Sequence, residues 1–341
     1  MELANGIRIR RVMTASHSFA PTCSVVVCTR DRPDALDRCL PALAALEYPR
    51  FDVLVVDNAP SDGRAHAVAR RWGARYLVEP IAGLSRARNT GARACSSEVI
   101  AFTDDDAIPE RAWLSHLATP FRDPRVAVVT GRTLPLLEAE PVGSALDTTD
   151  LGPDMNRLDR THPLWFEMAY FGGIGNGNNM AFRRRVFEQW SGFDERLGRG
   201  ALLSSGEEHR AFAQLVESGH TVVYTPEARV RHPVPTTPDE RREQYLRSRA
   251  DLAGYAVFLF LVTHHKWRTA KYVVEAALGT RRTWRVHTEA VPQGVFSRWR
   301  LPQVYAAGAW TCLRGLMRTT LASHTPPKDA AQSRLRSSVT Q

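Results

Sequence analysis

The feature of the sequence that most restricts its fold is an apolar run over residues 99–106 that ends in three consecutive carboxylates, Asp104, Asp105 and Asp106. A short continuous run bounded by charge is typical of a buried strand in a parallel sheet. Adjacent negative charges repel one another, so a folded chain tolerates them where solvent or a divalent cation compensates their charge. This acidic triplet therefore indicates either a ligand cleft at the end of the strand or a solvated acidic loop.

Short apolar runs alternate with helical periods over residues 24–130. We predict strands at residues 24–28, 51–56, 75–78, 99–106 and 126–130, and helices at residues 36–43, 65–72, 85–95 and 110–121. This alternation, with short connections, favours an α/β fold with a doubly wound, mostly parallel sheet flanked by helices. Ligands of such sheets bind outside the carboxyl ends of the strands, so the segment from Thr29 to Arg32, Asp57 and the acidic triplet are expected to face one crevice.

The second half of the chain has a weaker pattern. Residues 134–171 show no clear period and are expected to be loop-rich. Glycine and asparagine alternate over residues 171–182 before a strand-like close, which suits either close approach to a ligand or a plain turn cluster. A helical pattern begins near residue 206, and a further strand is expected at residues 221–224.

A capping-box pattern marks the expected end of the main domain. Thr237 is followed by proline and, three positions on, by Glu240, which predicts a helix that begins there and runs towards residue 262. Another helix is predicted at residues 303–321. The expected parts are a polar leader at residues 1–21, a main α/β domain at 22–235, a helical extension at 236–322 and a disordered polar tail at 323–341.

The charge of the chain indicates the kind of partner it meets. The sequence has 45 Lys and Arg residues against 36 Asp and Glu residues, a net charge of +9, which favours anionic partners. No nucleic-acid-binding module is recognisable, so nucleic acid is not expected among them. Aromatic residues with basic flanks over residues 255–267 predict a helix that either lies on an anionic membrane surface or packs on the main domain.

Cysteines and apolar runs bear on the location of the protein. Five cysteines without a C-x-x-C pair indicate reduced thiols in a cytosolic chain. Residues 1–20 lack the apolar run of a secretory signal, and the longest apolar run, residues 255–262, is far shorter than the ~20 residues that span a bilayer. We expect a cytoplasmic protein, either soluble or peripheral at the cytoplasmic face of the membrane.

Seven short motifs carry the remaining functional signal: residues 28–33, 55–58, 83–89, 102–106, 179–183, 192–195 and 206–208. In this order they resemble the motifs of family 2 glycosyltransferases, and the resemblance covers residues 22–234. It implies a Rossmann-like GT-A fold and an inverting, metal-assisted enzyme that uses a nucleotide-sugar donor. The Q-x-x-R-W motif of processive synthases is absent from the sequence, so single-sugar transfer is expected.

The resemblance implies donor-binding roles for several side chains. Asp57 corresponds to the residue that hydrogen-bonds the nucleotide base, and Thr29 and Arg32 would line the same pocket. Arg86 matches the donor-contacting arginine of the family, and a guanidinium suits bidentate recognition of phosphate. Arg88, two positions further on, is expected at the surface.

The resemblance also implies a metal site. Asp106 would bind the cation, while Asp104 would contact the ribose or donor sugar, and Asn179 is a further candidate substrate contact. His232 matches the histidine that completes the metal or diphosphate site, an ordinary structural histidine being the alternative. Oxygen ligands suit Mg²⁺ or Mn²⁺, and a histidine ligand favours Mn²⁺. Asp105 is expected only to shape the loop.

The catalytic base departs from the family pattern. The family usually has Glu-Asp where this chain has Glu207-Glu208. By alignment Glu208 is the base for direct displacement with inversion, although its arm is one methylene longer and catalysis tolerates little misplacement. A base role for Glu207, or an inactive site, is the alternative.

Two other functions fit parts of the sequence. A nucleotidyltransferase that forms nucleotide sugars would also pair a parallel sheet with carboxylates, but it should carry a glycine-rich phosphate loop, whereas residues 29–33 contain no glycine. A catalytically degenerate GT-A binding module is supported only by the Glu-for-Asp change. The donor nucleotide (UDP, dTDP or GDP) and the acceptor (a glycan, a lipid-linked or a small molecule) stay open at this point.

Overall fold

The computed structural model describes residues 19–136, 156–277 and 300–323. Its strands are β1 (Cys23–Thr29), β2 (Phe51–Asn58), β3 (Arg75–Glu79), β4 (Val99–Asp104), β5 (Ile108–Pro109), β6 (Val126–Leu136), β7 (Arg157–Leu158), β8 (Asn179–Arg183) and β9 (Thr221–Pro233). Its α-helices are α1 (Pro33–Ala44), α2 (Arg64–Arg71), α3 (Leu84–Arg93), α4 (Trp113–Ala118), α5 (Trp165–Phe171), α6 (Glu207–Glu217), α7 (Pro238–Val262), α8 (Lys266–Ala277) and α9 (Arg300–Ser323). The predicted leader up to residue 18 and the predicted tail from residue 324 lie outside the described residues.

One sheet in the order β3-β2-β1-β4-β8-β6-β9-β5 forms the centre of the described chain, and β7 pairs with β9. Strands β3, β2, β1 and β4 are parallel, as are β6 and β9, so the predicted α/β class is confirmed. Strand β8 runs antiparallel between β4 and β6. Both β6 and β9 extend well past their predicted ends because they pair with each other from Val126 to Pro233.

Different helices cover the two faces of the sheet, which explains why its central strands are apolar on both sides. Along β1, Val25 and Val27 face the core formed with α1, α2 and α4. Val26, between them, faces the core formed with α3, α5, α6 and α7. Because both faces are covered, the polar ends of the strands are the part of the sheet that is accessible to ligands.

The expectation that residues 134–171 are loop-rich is wrong where α5 lies. This helix is apolar in every position except Glu167, and its apolar residues are all buried. A helix that is buried all round has no polar face, so it shows no amphipathic period in the sequence. Residues 137–155 fall outside the described part of the chain.

The three C-terminal helices pack on the sheet domain and on one another. The capping box at Thr237 is formed: its Oγ1 accepts a hydrogen bond from the Glu240 backbone N–H at 3.2 Å, and a Glu240 carboxylate oxygen accepts from the Thr237 N–H at 3.0 Å. Helices α7 and α9 cross closely at Gly308, where a Cβ atom would meet the backbone of Ala250. None of the helices in the described ranges combines the length and apolar character that spanning a bilayer requires.

Candidate active site

A cleft of about 220 Å³ opens at the carboxyl ends of β1, β2 and β4. The parallel register sets Thr29 beside Asp57 and Cys28 beside Asp104 on neighbouring strands. The cleft is lined by Cys28, Thr29, Arg30, Arg32, Asn58, Leu84, Asp104, Asp105, Arg199 and Gly200. Three of the predicted site residues, Thr29, Arg32 and Asp104, are therefore part of one concave surface.

The acidic triplet is held in place by Arg32 and Thr29. Asp105 is buried and accepts hydrogen bonds from Thr29 Oγ1 at 2.7 Å and from Arg32 Nη1 at 2.8 Å. Burial raises the pKa of Asp105 to about 6, although Thr29 and Arg32 oppose that rise. The second guanidinium nitrogen of Arg32 donates to Asp106 Oδ2 at 2.6 Å. Arg32 thus bridges two carboxylates and fixes the loop after β4.

Asp104, Asp106 and His232 converge at the end of β4. Strand β5 pairs with β9, with Ile108 opposite Arg231, and this pairing brings the next residue, His232, to the triplet. His232 Nε2 lies 3.1 Å from Asp106 Oδ1 and 3.8 Å from Asp104 Oδ2. Burial alone would raise the pKa of Asp106, but His232 and Arg32 together hold that pKa below its usual range.

These three side chains form a donor set that fits a divalent cation. One oxygen from each carboxylate and one imidazole nitrogen all lie within 4.8 Å of one another. Hard carboxylate oxygens with one nitrogen suit Mn²⁺ or Mg²⁺. The sequence predicts only Asp106 and His232 as metal ligands, whereas the geometry also brings Asp104 to the same point.

Arg88 connects the triplet to the start of α6. Its guanidinium is buried, with Nη1 2.9 Å from Glu207 Oε1 and Nη2 3.7 Å from Asp104 Oδ1. The expectation that Arg88 lies at the surface is therefore wrong. The buried face of α3 contains Ser85, Arg88 and Ala92, at positions i, i+3 and i+7, which is the spacing of one helical face. This spacing is the feature of the sequence from which the burial of Arg88 could have been predicted.

The two glutamates at the start of α6 are in different environments. Glu207 is 6% exposed and is engaged by Arg88. Burial raises the pKa of Glu207, the neighbouring Glu208 raises it further, and Arg88 opposes both effects. Glu208 is partly exposed, and its Oε2 has no hydrogen-bond partner among the described residues. Both Glu207 Oε2 and Glu208 Oε2 are buried atoms without a hydrogen-bond partner in the described chain, so the two carboxylates differ in residue exposure and in the ion pair that Glu207 makes with Arg88.

Asp57 lies directly behind the cleft. It is 1% exposed, and its Oδ2 accepts a hydrogen bond from the Tyr76 hydroxyl at 2.7 Å. Its Oδ1 is buried without a partner in the described part of the chain, and burial raises the pKa of the carboxyl. The next residue, Asn58, lines the cleft itself and accepts a hydrogen bond from the Gly83 N–H at 2.8 Å. Sequence reasoning missed both Tyr76 and Asn58.

Asn179 does not reach the cleft. Its side chain is fully buried, its amide nitrogen donates to the carbonyl oxygens of Arg132 and Ala228, and its Oδ1 accepts from the Trp113 indole at 2.8 Å. The expectation that Asn179 contacts substrate is thus corrected, because these bonds tie β8 to β6, β9 and α4.

Arg86 also lies outside the cleft lining. Its Nη1 is 2.7 Å from Glu195 Oε2, and both side chains of this pair are about one-third exposed. Arg30 and Arg199 line the cleft instead. Arg30 belongs to the segment 29–32 that was expected to face the crevice, whereas Arg199 was not singled out from the sequence. The carbonyl oxygen of Arg199 accepts a hydrogen bond from the Leu84 N–H at 2.9 Å, so the loop that carries Arg199 is tied to the start of α3.

Comparison with known proteins shows similarity to glycosyltransferases and to a protein of glycan biosynthesis. Residues 24–190 match the model of glycosyl transferase family 2. Pre-mycofactocin glycosyltransferase from Mycobacterium tuberculosis is 28% identical over 270 residues, which cover 76% of this chain and 51% of that protein. Succinoglycan biosynthesis protein ExoM from Rhizobium meliloti is 29% identical over 282 residues, which cover 79% of this chain and 80% of that protein. The chain thus spans about half the length of the mycobacterial relatives it matches.

Solved structures bear on the fold. Mannosyltransferase PcManGT from Pyrobaculum calidifontis, determined in complex with GDP-Man and Mn²⁺, aligns with a TM-score of 0.55 and 18% sequence identity. The alignment covers 87% of this chain and 88% of that one. The expected GT-A arrangement, a mostly parallel sheet flanked by helices, is confirmed by this similarity.

Proposed function

The chain belongs to glycosyl transferase family 2, and from that membership we propose that it moves a single sugar from a nucleotide-diphosphate sugar to an acceptor hydroxyl with inversion. One observation carries the proposal. Asp104, Asp106 and His232 converge beside a cleft at the strand ends, and Arg88 joins Asp104 to the helix start that carries Glu208. A cation site and a base are the two parts that such a transfer needs.

We propose that the cleft binds the donor. Arg30, Arg32 and Arg199 line it, and one guanidinium group can donate two parallel hydrogen bonds to the oxygens of a diphosphate. Asp57 Oδ1 is buried and has no partner in the described chain. It could accept a hydrogen bond from an N–H of the donor's nucleobase if the cleft wall moves slightly. Arg86 would join the donor contacts only after leaving Glu195. UDP-, dTDP- and GDP-linked sugars stay the candidate donors.

The cation would be held by Asp106 and His232, with Asp104 beside them. When bound, a divalent cation neutralises the charge that develops on the leaving diphosphate. Mn²⁺ is favoured over Mg²⁺ because of the imidazole, and the similar mannosyltransferase was determined with Mn²⁺. Arg32 donates to the same Asp106 carboxylate, so the chain itself compensates part of the negative charge of Asp106.

Glu208 is the proposed base. Its carboxylate accepts the proton of the acceptor hydroxyl while the hydroxyl oxygen forms a bond to the anomeric carbon and the bond to the diphosphate breaks. Attack opposite the leaving group inverts the anomeric centre. Glu207 is committed to Arg88, and in this proposal it orients the start of α6 and does not accept the proton.

The test compares Glu208→Gln with Glu207→Gln on a panel of nucleotide sugars. Donor binding is measured by thermal shift with Mn²⁺, and turnover by nucleotide release with and without a chelator. Glu208→Gln should keep the donor-induced shift and lose about 10²–10⁴-fold in turnover, the usual contribution of a general base. Full turnover in Glu208→Gln would contradict the base assignment.

The same panel, extended by nucleoside triphosphates with sugar phosphates, separates the alternative functions. A binding module would show donor-induced shifts without nucleotide release. A nucleotidyltransferase would release pyrophosphate from a nucleoside triphosphate and a sugar phosphate. Turnover that is unchanged by chelator and by Asp106→Ala would contradict the metal assignment.

We also propose that the C-terminal helices contact an anionic membrane surface. Tyr255 and Phe258 of α7 are buried on the main domain, but Phe260 is 42% exposed and Trp267 at the start of α8 is 88% exposed. An apolar groove of about 480 Å³ lies between α7, α8 and α9 and includes Phe260 and Val274. This arrangement supports a lipid-linked acceptor among the three acceptor classes.

A further inference from the structure

A second cluster of ligating side chains lies at the far end of the helix that carries Glu208. Glu217 is the last residue of α6, and His264 and His265 lie in the break between α7 and α8. One ligand atom from each of these residues lies within 4.8 Å of the others. The 11 residues of α6 separate this cluster from the candidate active site by about 15 Å.

His265 is held in a fixed orientation. Its Nε2 lies 2.5 Å from Glu217 Oε1, and the same oxygen accepts a hydrogen bond from the Tyr170 hydroxyl at 3.0 Å. The imidazole ring makes edge contacts with the rings of Trp165 and Phe166, with centroids 5.7 and 5.1 Å away. These contacts fix the orientation of the His265 ring before an ion arrives.

His264 completes the cluster from the solvent side. It is exposed, and its ring centroid lies 3.9 Å from that of His265. An exposed histidine beside a fixed one can turn towards an entering ion without moving the backbone. The nearby Arg268 guanidinium lies over the rings of Trp165 and Phe166, where it is engaged by their faces.

We propose that Glu217, His264 and His265 bind a transition-metal ion of the zinc class. Two imidazole nitrogens and one carboxylate oxygen are a common zinc donor set, and the fourth position of a tetrahedral site would be taken by water. Metal–ligand bonds of about 2.0–2.1 Å place ligand atoms about 3.4 Å apart. The ion would therefore replace the hydrogen bond between His265 Nε2 and Glu217 Oε1, now 2.5 Å apart, while His264 rotates towards it. The site is separate from the one formed by Asp104, Asp106 and His232.

This ion would join the sheet domain to the C-terminal helices. Glu217 belongs to α6 and both histidines belong to the α7–α8 connection, so one ion crosslinks the two parts. The complete set of three ligands exists only in the folded chain, so the ion stabilises the folded state by mass action. The role is structural and does not depend on the proposed reaction.

The experiment titrates Zn²⁺ into the full-length protein after removal of metal by a chelator. Bound zinc is counted by elemental analysis after desalting, and the melting temperature is followed in the same samples without any nucleotide sugar. The variants are His264→Gln and, as matched control, His66→Gln, which changes an exposed histidine outside both clusters. Asp106→Asn serves to remove the other candidate site.

Wild-type protein and His66→Gln should bind one zinc equivalent more than His264→Gln, and saturating Zn²⁺ should raise their melting temperature by about 5 °C more. Zinc binding by His264→Gln equal to wild type would overturn the proposal. Loss of zinc only in Asp106→Asn would also overturn it, while leaving the proposed cation site of the transferase intact. If His264→Gln is misfolded by circular dichroism, Glu217→Gln replaces it with the same expected deficit.

Discussion

Arg88 joins the two acidic parts of the candidate site, because its guanidinium contacts Glu207 on α6 and faces Asp104 at the end of β4. It also donates a hydrogen bond to the Gly177 carbonyl oxygen at 3.0 Å. The side chains of Arg88 and Glu207 are both excluded from bulk water, so the ion pair between them is only weakly screened. Removing one member leaves the other as an uncompensated buried charge.

Arg88→Ala should therefore lower the free energy of unfolding by about 3–5 kcal/mol. Arg86→Ala is the matched control, since Arg86 lies on the same helix and pairs with Glu195, but that pair is about one-third exposed. Its loss should change the free energy of unfolding by less than about 1 kcal/mol. Urea unfolding of both variants measures the difference, and equal effects would contradict the buried position of Arg88.

Asp194 predicts a dependence of stability on pH. Burial tends to raise its pKa, but Arg196 and Arg210, at 2.7 and 2.9 Å, together lower that pKa below its ordinary value of 3.8. A lowered pKa in the folded state means that the stabilisation is present above the ordinary value and is lost as the pH falls through the folded value. Asp194→Asn should lower stability at pH 7 by about 1.5–3 kcal/mol.

Urea unfolding between pH 7 and the acid limit tests this assignment. Below the ordinary carboxyl pKa, wild-type stability should fall more steeply than that of Asp194→Asn, so the two curves should approach each other. The exposed Asp34→Asn provides the control curve. Curves for Asp194→Asn that stay parallel to wild type down to low pH would show that this carboxylate is not stabilised by its arginines.

Among individual residues, the sequence predicted those that lie at strand ends, because the ends of strands follow from apolar runs. It identified Thr29, Arg32 and Asp104, all of which line the cleft. It assigned Arg88 to the surface and Asn179 to the substrate, and both are interior residues with internal partners. Long-range partners such as Glu207 for Arg88, 119 positions away, are set by packing and leave no local pattern.

Helix α6 begins at a position that only glycine fits. Gly206 has a φ of +93°, and a Cβ atom there would lie 2.6 Å from the ring of Tyr255. Tyr255 belongs to α7, so a C-terminal helix contacts the residue immediately before Glu207 and Glu208. Gly219, just past the other end of α6, has a similar φ of +87° but nothing within 4 Å.

This difference gives a matched pair of variants. Gly219→Ala should lose about 1–2 kcal/mol of stability, which is the cost of a left-handed conformation for alanine. Gly206→Ala should lose about 1–3 kcal/mol more because of the contact with Tyr255, and its turnover should fall because the start of α6 moves. Thermal unfolding and nucleotide release measure the two effects. Equal loss in both variants would show that Tyr255 does not restrict this turn.

Elements with a regular period were predicted well and elements without one were not. The capping box at Thr237 was predicted to the residue because its hydrogen bonds are local. Helix α5 was missed because it is apolar all round, and the antiparallel direction of β8 was not predicted because five residues of strand carry no sign of orientation. Helix α4 is shorter than expected and is followed by a 3-10 turn that contains Pro120.

For the whole molecule, the proposed membrane contact is testable on the intact chain. Trp267 is the most exposed large apolar side chain in the described part, and Lys266, Arg268 and Lys271 on the same helix are exposed and basic. Trp267→Ala should weaken binding to phosphatidylcholine vesicles that contain phosphatidylglycerol by about tenfold. Vesicle co-sedimentation measures this change.

The control for this experiment is Ile81→Ala, which removes a 56% exposed apolar side chain on the sheet domain. It should leave vesicle binding unchanged. Binding should also fall when phosphatidylglycerol is omitted or when salt is raised, because the basic residues contribute through electrostatic attraction. Unchanged binding by Trp267→Ala would mean that α8 does not face the membrane.

The contacts of residues 202–206 with the C-terminal helices limit how this chain can be recombined with its relatives. Leu203 packs on Gly254 of α7, Leu202 packs on Gly315 of α9, and Gly206 packs on Tyr255. A chimaera that exchanges the C-terminal helices at a boundary near residue 235 would separate these partners, although the boundary falls between secondary-structure elements. Donor and acceptor specificities will be transplanted successfully only when this short loop travels with the helices it contacts.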